Sequence, residues 1–211
     1  MTYKDFEPVS LMTATPSILA AYGKTPWNTL KELLDDARKR PEQITVGATL
    51  GSTSHFFPAM VALAAGVKWK YVSYEGTAPR MTALLGGHVL LGDTNLTQMD
   101  KVKVGQMKML AIATPKRLAE IPDVPTFKEL GYDVIYAVNR GIVAPKGTPE
   151  AALARLEDAC GKAAQDPAVI ESMRKQGTLV EFLNRKAYAD FLQKNDKMNA
   201  DLSQALGYKR K

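Results

Sequence analysis

The densest group of chemically useful side chains is Val46-Gly47-Ala48-Thr49-Leu50-Gly51-Ser52-Thr53-Ser54-His55, where a β-like run gives way to a helical one. Gly47 and Gly51 let the backbone come close to a ligand. Ser52, Thr53 and Ser54 bring hydroxyls and free N–H groups to a helix start, where the helix dipole favours an anion. The chemistry this offers is the holding of a carboxylate or phosphate. The same serines and threonine also make ordinary N-caps, which need no ligand. The segment lacks the Gly-Lys-Ser/Thr ending of a P-loop and does not meet Gly-x-Gly-x-x-Gly, so neither nucleotide fingerprint is present.

A second segment of the same kind, Tyr74-Glu75-Gly76-Thr77-Ala78-Pro79, also runs from a strand into a helix. In a parallel sheet such loops share the carboxyl edge, so Gly51, Ser52, Thr53, Ser54 and His55 would meet Tyr74, Gly76, Thr77 and Ala78 at one crevice. Gly92-Asp93-Thr94-Asn95 is a third edge, with Asp93 as its candidate ligand-facing residue; a polar loop capping the next turn explains it equally well. Arg140 interrupts the apolar run Ala137–Val143. A charge in a buried run needs a partner, and a ligand carboxylate held bidentately would supply one; a structural salt bridge or an exposed edge position would serve as well.

Bond-breaking chemistry finds little support. Neither Gly-x-Ser-x-Gly nor His-Glu-x-x-His occurs. His55 and His88 read as polar packing, and the single cysteine, Cys160, reads as a small buried hydrophobe. No metal site and no cofactor is expected.

These loops need a scaffold, and the chain supplies alternating elements. Strands are expected at 6–13, 44–48, 69–74, 88–91, 107–113, 134–144 and 178–182, and helices at 28–40, 56–65, 78–85, 149–165, 168–176 and 185–206. The alternation implies βαβ crossovers and a mostly parallel sheet. Residues 13–25 and 134–149 read as two crossings between lobes, the connectivity of a hinge. The expected division is an α/β ligand-binding lobe at 14–137 and another lobe made of 1–13 and 138–211, of which the first is read as complete and the second as partial only through the family resemblance given below. With 211 residues, 45% hydrophobic and 24% charged, the chain has the composition of a globular protein, which excludes a disordered one. The net charge of +6 suits anionic partners. Its basic residues are scattered, apart from Lys209-Arg210-Lys211, and no basic–aromatic stripe points to nucleic acid. Met1-Thr2-Tyr3-Lys4-Asp5 has no apolar stretch behind it, so no signal peptide is expected.

The order of short motifs resembles the extracytoplasmic solute-binding receptors of tripartite tricarboxylate transporters, the Bug (TctC-like) family. Asp5–Leu11 looks like the family's strand into the second lobe, and Leu30–Leu33 through Pro41 like one of its helices and its stop. Val46–His55 is similar to its glycine-rich ligand loop. Val72–Pro79 is similar to its Val-Pro-Tyr-Lys-Gly loop, with Ser73 and Glu75 in place of the usual Pro and Lys. Leu84-Leu85-Gly86-Gly87-His88-Val89, Ile121-Pro122-Asp123-Val124-Pro125-Thr126 and Arg140–Pro149 match further landmarks in order.

The resemblance implies a fold of the type II periplasmic binding protein kind: α/β, with a parallel-sheet lobe and a partial second lobe joined by a hinge. It implies closure on a small carboxylate, membrane permease subunits as partners, and a periplasmic location, or a cytoplasmic one if this chain without a signal peptide is complete. It also implies that the opening segments of the first lobe are missing, so that residues 140–211 expose an apolar face. A non-binding truncated remnant, a homo-oligomer completing the lobe in trans, and a small α/β enzyme holding an anionic substrate on the Ser52–Ser54 loop are the alternatives.

Overall fold

The computed structural model describes residues 3–208; Met1, Thr2 and the basic run Lys209-Arg210-Lys211 lie outside the described residues. The chain divides into two compact units, one spanning Pro16–Ala137 and the other combining the segment up to Thr15 with the segment from Val138 onward. It therefore passes between units twice, at 15–16 and at 137–138.

The Pro16–Ala137 unit is built on a five-stranded sheet. Its strands are β2 (Ile18–Tyr22), β3 (Thr45–Ala48), β4 (Lys70–Ser73), β5 (Leu91–Thr94) and β6 (Met107–Ile112), in the order β4-β3-β5-β2-β6. β3 runs parallel to β4 and β5, whereas β2 runs antiparallel to β5 and β6. The sheet is thus mixed, and the parallel reading holds only for its β4-β3-β5 half. The difference lies in Ile18-Leu19-Ala20-Ala21, expected as part of a crossing but found as a central strand, fully buried. A strand covered on both faces shows an unbroken apolar run with no alternation to mark it.

Helix α1 (Leu30–Lys39) starts at a capping box in which Thr29 accepts from the Glu32 N–H and Glu32 reaches back to the cap. Its apolar face of Leu30, Leu33, Leu34 and Ala37 is buried. Helix α2 (Thr53–Ala65) begins three residues earlier than expected because Ser52 caps it, and it ends on Gly66 at φ 64°. Phe57 from α2 is fully buried, edge-on to Phe127 at 5.9 Å and stacked on Tyr136 at 5.8 Å.

Helix α3 (Thr77–Leu85) ends at Gly86-Gly87, as expected, but no strand follows at 88–91. The N–H groups of His88 and Val89 both fold back to the Ala83 carbonyl. This unwinding turn uses Gly87 at φ 74°, so β5 starts only at Leu91. A short helix, α4 (Met99–Lys103), precedes β6.

The other unit carries a three-stranded sheet in the order β7-β1-β8, from β1 (Phe6–Pro16), β7 (Ala137–Pro145) and β8 (Leu179–Leu183). β1 pairs with β8 antiparallel, Leu11 opposite Leu183, with a bulge between Leu11 and Thr13. Helices α5 (Glu150–Gln165), α6 (Pro167–Lys175) and α7 (Arg185–Ala205) complete it. Its core centres on Val9, Ala144, Leu153 and Cys160. Ile142, Val143, Leu156 and Ile170 are 40–42% exposed. The expected strand at 134–144 shortens to Ala137–Pro145, because Val134 and Tyr136 belong to the first unit's core.

Candidate functional site

Because β4, β3 and β5 are parallel neighbours, their carboxyl ends share one edge of the sheet. Three chain segments leave that edge. Thr49–Ser52 leads from β3 into α2, Tyr74–Gly76 from β4 into α3, and Asn95 follows β5. Gly51, Ser52, Thr53, Ser54, His55, Tyr74, Gly76, Thr77, Ala78 and Asp93 therefore belong to one edge of one unit. The two loops are tied directly, since the Gly76 N–H donates to Thr49 Oγ1 at 3.3 Å.

The serines hold the loop in shape. Ser52 Oγ donates to the Thr49 carbonyl at 2.7 Å and accepts from the Ser54 N–H at 3.3 Å. Ser54 Oγ lies 2.9 Å from Ser52 Oγ and accepts from the Thr49 N–H at 3.0 Å. Ser52 is thus an N-cap, as its type allows, while Leu50, Gly51 and Thr53 are exposed. Helix α3 starts differently. Gly76, at φ 95°, offers no side-chain cap, so the first-turn N–H groups at Thr77 and Ala78 have no side chain closing them. Both residues are exposed.

His55 is buried, edge-on to Tyr71 at 4.5 Å, and its Nδ1 accepts from the Gly51 N–H at 3.4 Å. Burial pushes its pKa below the usual histidine value, so the imidazole adds no positive charge at neutral pH. His88 is exposed.

Asp93 is half-buried at the end of β5, with Oδ1 shut off from solvent and without a hydrogen-bond partner. Burial pushes its pKa up to about 6, against the opposing pull of Arg80 and of a Ser17 hydrogen bond. Arg80 is buried, and its Nη1 donates to the Asp93 carbonyl oxygen at 2.7 Å while Nε lacks a partner. Arg80 and Val89 also explain Gly47: a Cβ there would lie 3.0 Å from Val89 Cγ2 and 3.3 Å from Arg80 Cγ. Arg80 is absent from the residues the sequence singles out. Its signal was positional: Arg80, Ala83 and Leu84 share the i, i+3, i+4 face that α3 buries.

Arg140 lies in the other unit and is exposed, as is most of the β7 stretch around it. The expectation of a charge inside a buried run is therefore corrected. Its Nη1 donates to Thr15 Oγ1 at 2.8 Å and, more weakly, to the Val138 carbonyl at 3.5 Å. Among the described residues no group of three or more His, Cys, Asp or Glu is placed to hold a metal ion, and no helix is long and apolar enough to cross a membrane.

The fold is of the type II periplasmic binding protein class. Residues 1–208 match the family described as the tripartite tricarboxylate transporter family receptor, TctC, and the chain belongs to that family. It is 32% identical over 184 residues to a Cupriavidus necator protein described as "UPF0065 protein in gbd 5'region", covering 87% of this chain and 56% of that protein. Over 177 residues it is 29% identical to BugT of Bordetella pertussis, covering 82% and 54% respectively. The chain spans about half the length of these curated relatives. Among solved structures it resembles the periplasmic binding protein BugD at 31% identity and TM-score 0.79, covering 98% of this chain and 71% of BugD. A structure from R. palustris solved with adipate gives a TM-score of 0.83 at 25% identity, covering 96% and 69%. MatC from Rhodopseudomonas palustris, solved with malate, gives 0.77 at 26% identity, covering 93% and 69%.

Proposed function

We propose that the chain is the solute-binding receptor of a tripartite tricarboxylate transporter, which captures a small carboxylate in the periplasm and hands it to membrane permease subunits. The observation that carries this reading is the pair of helix starts, α2 and α3, on one sheet edge and tied by the Gly76–Thr49 hydrogen bond. In this reading a carboxylate is held by backbone N–H groups and helix dipoles, with Gly51, Thr53, Thr77 and Ala78 as the exposed contacts. The adipate and malate seen with structural neighbours support small carboxylates as the ligand class. The two passages between units provide the connectivity for hinge motion, with Arg140 beside one of them. No residue is assigned a bond-breaking role.

The test is thermal unfolding of the chain against a panel of mono-, di- and tricarboxylates and aromatic acids. A bound acid at about 100 times its Kd stabilises by about 2.7 kcal/mol. A saturable rise with one acid class is the expected result, and a flat response across the whole panel overturns the proposal.

A further inference from the structure

The parallel ladder between β3 and β4 runs in register from Thr45 opposite Lys70 to Ala48 opposite Ser73. The Tyr74 N–H adds one more rung, donating to the Ala48 carbonyl at 2.9 Å. Beyond it the two strands part, one into α2 and the other into α3. Thr49, the residue after β3, bonds to both departing segments. Its N–H donates to Ser54 Oγ at 3.0 Å, and its carbonyl accepts from Ser52 Oγ at 2.7 Å and from the Ser52 N–H at 3.1 Å. These three bonds fix its backbone to the α2 start. Its side chain serves the other helix, since Oγ1 accepts from the Gly76 N–H at 3.3 Å.

The α3 start depends on such an anchor more than the α2 start does. Ser52 closes α2 with its own hydroxyl, whereas the α3 cap residue is Gly76, with no side chain to offer. Gly76 is exposed, and a Cβ there would meet nothing within 4 Å. A glycine in open space has more conformations to lose than any other residue. The hydroxyl that orders it comes from Thr49, 27 residues upstream. A β-branched side chain keeps χ1 in few rotamers, so the acceptor stays aimed. With the Gly76 N–H engaged and Pro79 carrying none, the first-turn donors left for a ligand at α3 are those of Thr77 and Ala78.

We propose that Thr49 is a positioning residue for carboxylate capture, which carries the order of the α2 start across to the α3 start so that both are set before a ligand arrives. The proposal rests on the carboxylate-receptor reading and deepens it. Thr49 touches no ligand in this role. It acts by removing an ordering cost that binding would otherwise bear, and it acts through its hydroxyl rather than its bulk.

Amide hydrogen exchange followed by NMR, and isothermal titration with succinate, malate, adipate and citrate, test this on the full chain. In the wild type without acid, the Gly76 amide should exchange about tenfold or more slowly than the Thr77 and Ala78 amides, after correction for intrinsic rates. Thr49→Val keeps the branched shape and loses the acceptor, while Thr49→Ser keeps the acceptor. In Thr49→Val the Gly76 amide should exchange about tenfold faster, with the Val46 and Phe57 amides of β3 and α2 still protected as in the wild type. The acid that the wild type binds most tightly should bind Thr49→Val about three- to tenfold more weakly, and Thr49→Ser within about twofold of wild type. A role in packing alone would rank the two variants the other way. Equal exchange at Gly76, Thr77 and Ala78 in the wild type, wild-type affinity in Thr49→Val, or equal weakening in both variants overturns the proposal and leaves the receptor reading intact. Absence of wild-type binding to these acids and to the wider panel overturns both.

Discussion

The two units hide their apolar side chains to different degrees. In the Pro16–Ala137 unit, Phe57, Phe127, Leu33, Leu34 and Leu91 are fully buried around a five-stranded sheet. The other has a three-stranded sheet and a smaller buried set, in which Val9, Leu11, Leu153, Cys160, Tyr188 and Leu202 are the larger side chains; Ile142, Val143, Leu156 and Ile170 stay open to solvent there, as Leu50, Leu63 and Val104 do in the first. Both contain ordinary amphipathic elements, so the difference is in what covers them. A larger close-packed core leaves the loops it carries fewer alternative positions, which suits the ligand-holding role proposed for them.

The contrast is sharpest in core truncations. Phe57→Ala should cost about 3–5 kcal/mol in urea unfolding, because it deletes a ring packed between Phe127 and Tyr136. Leu156→Ala, on an exposed face, should stay within about 0.5 kcal/mol. Equal costs for the two would dissolve the comparison.

Gly141 is where the contrast should break. It lies on exposed β7, yet a Cβ there would collide with the Tyr188 hydroxyl and approach the Ser10 carbonyl oxygen to 2.6 Å. Gly141→Ala should therefore destabilise by about 1–3 kcal/mol, measured in the same way. A neutral result would mean that β7 yields freely.

Thr29→Ala removes the α1 cap in the well-packed unit and should cost about 1 kcal/mol. If the cost is far smaller, the buried face of α1 alone fixes its start.

The smallest effect is one of slope. The Asp93 carboxyl is raised from 3.8 to about 6, so between these values the folded chain keeps a proton that the unfolded chain has released. Stability from this group thus declines as pH rises through that window. Asn cannot titrate, so any Tm advantage of Asp93→Asn over wild type should shrink as pH falls from about 7.5 to about 4. A difference independent of pH would place Asp93 in a more solvated setting.

Much of the architecture was legible because the rules that wrote it are local. Leu30, Leu33, Leu34 and Ala37 announce α1 by spacing, and Gly66 and Gly86 mark helix ends. The central strand β2 was not legible, since burial on both faces removes the alternation that identifies a strand. The start of β5 was displaced by hydrogen bonds from His88 and Val89 to Ala83, a choice made by the preceding helix. At the candidate site, glycines and hydroxyls marked loops that the structure brings to one sheet edge, but could not say that Ser52 and Ser54 bond chiefly to their own loop. Arg80 went unread because a guanidinium on an inward helix face becomes meaningful only beside its carbonyl acceptor on β5. For Arg140 the sequence left a buried paired charge and an exposed edge position both open, and the structure shows the exposed one, because an apolar sequence neighbourhood does not require a buried strand.

The division of the chain also orders events during synthesis. Pro16–Ala137 is one continuous stretch, and every strand of its sheet has emerged once β6 is complete. β1 is made before that stretch, yet its partners β7 and β8 start only at Ala137 and Leu179. This strand must therefore wait, both hydrogen-bonding edges open, while an entire unit folds behind it. Contacts this distant close late, so β1 is the segment of the nascent chain in greatest need of protection from pairing with the wrong strand.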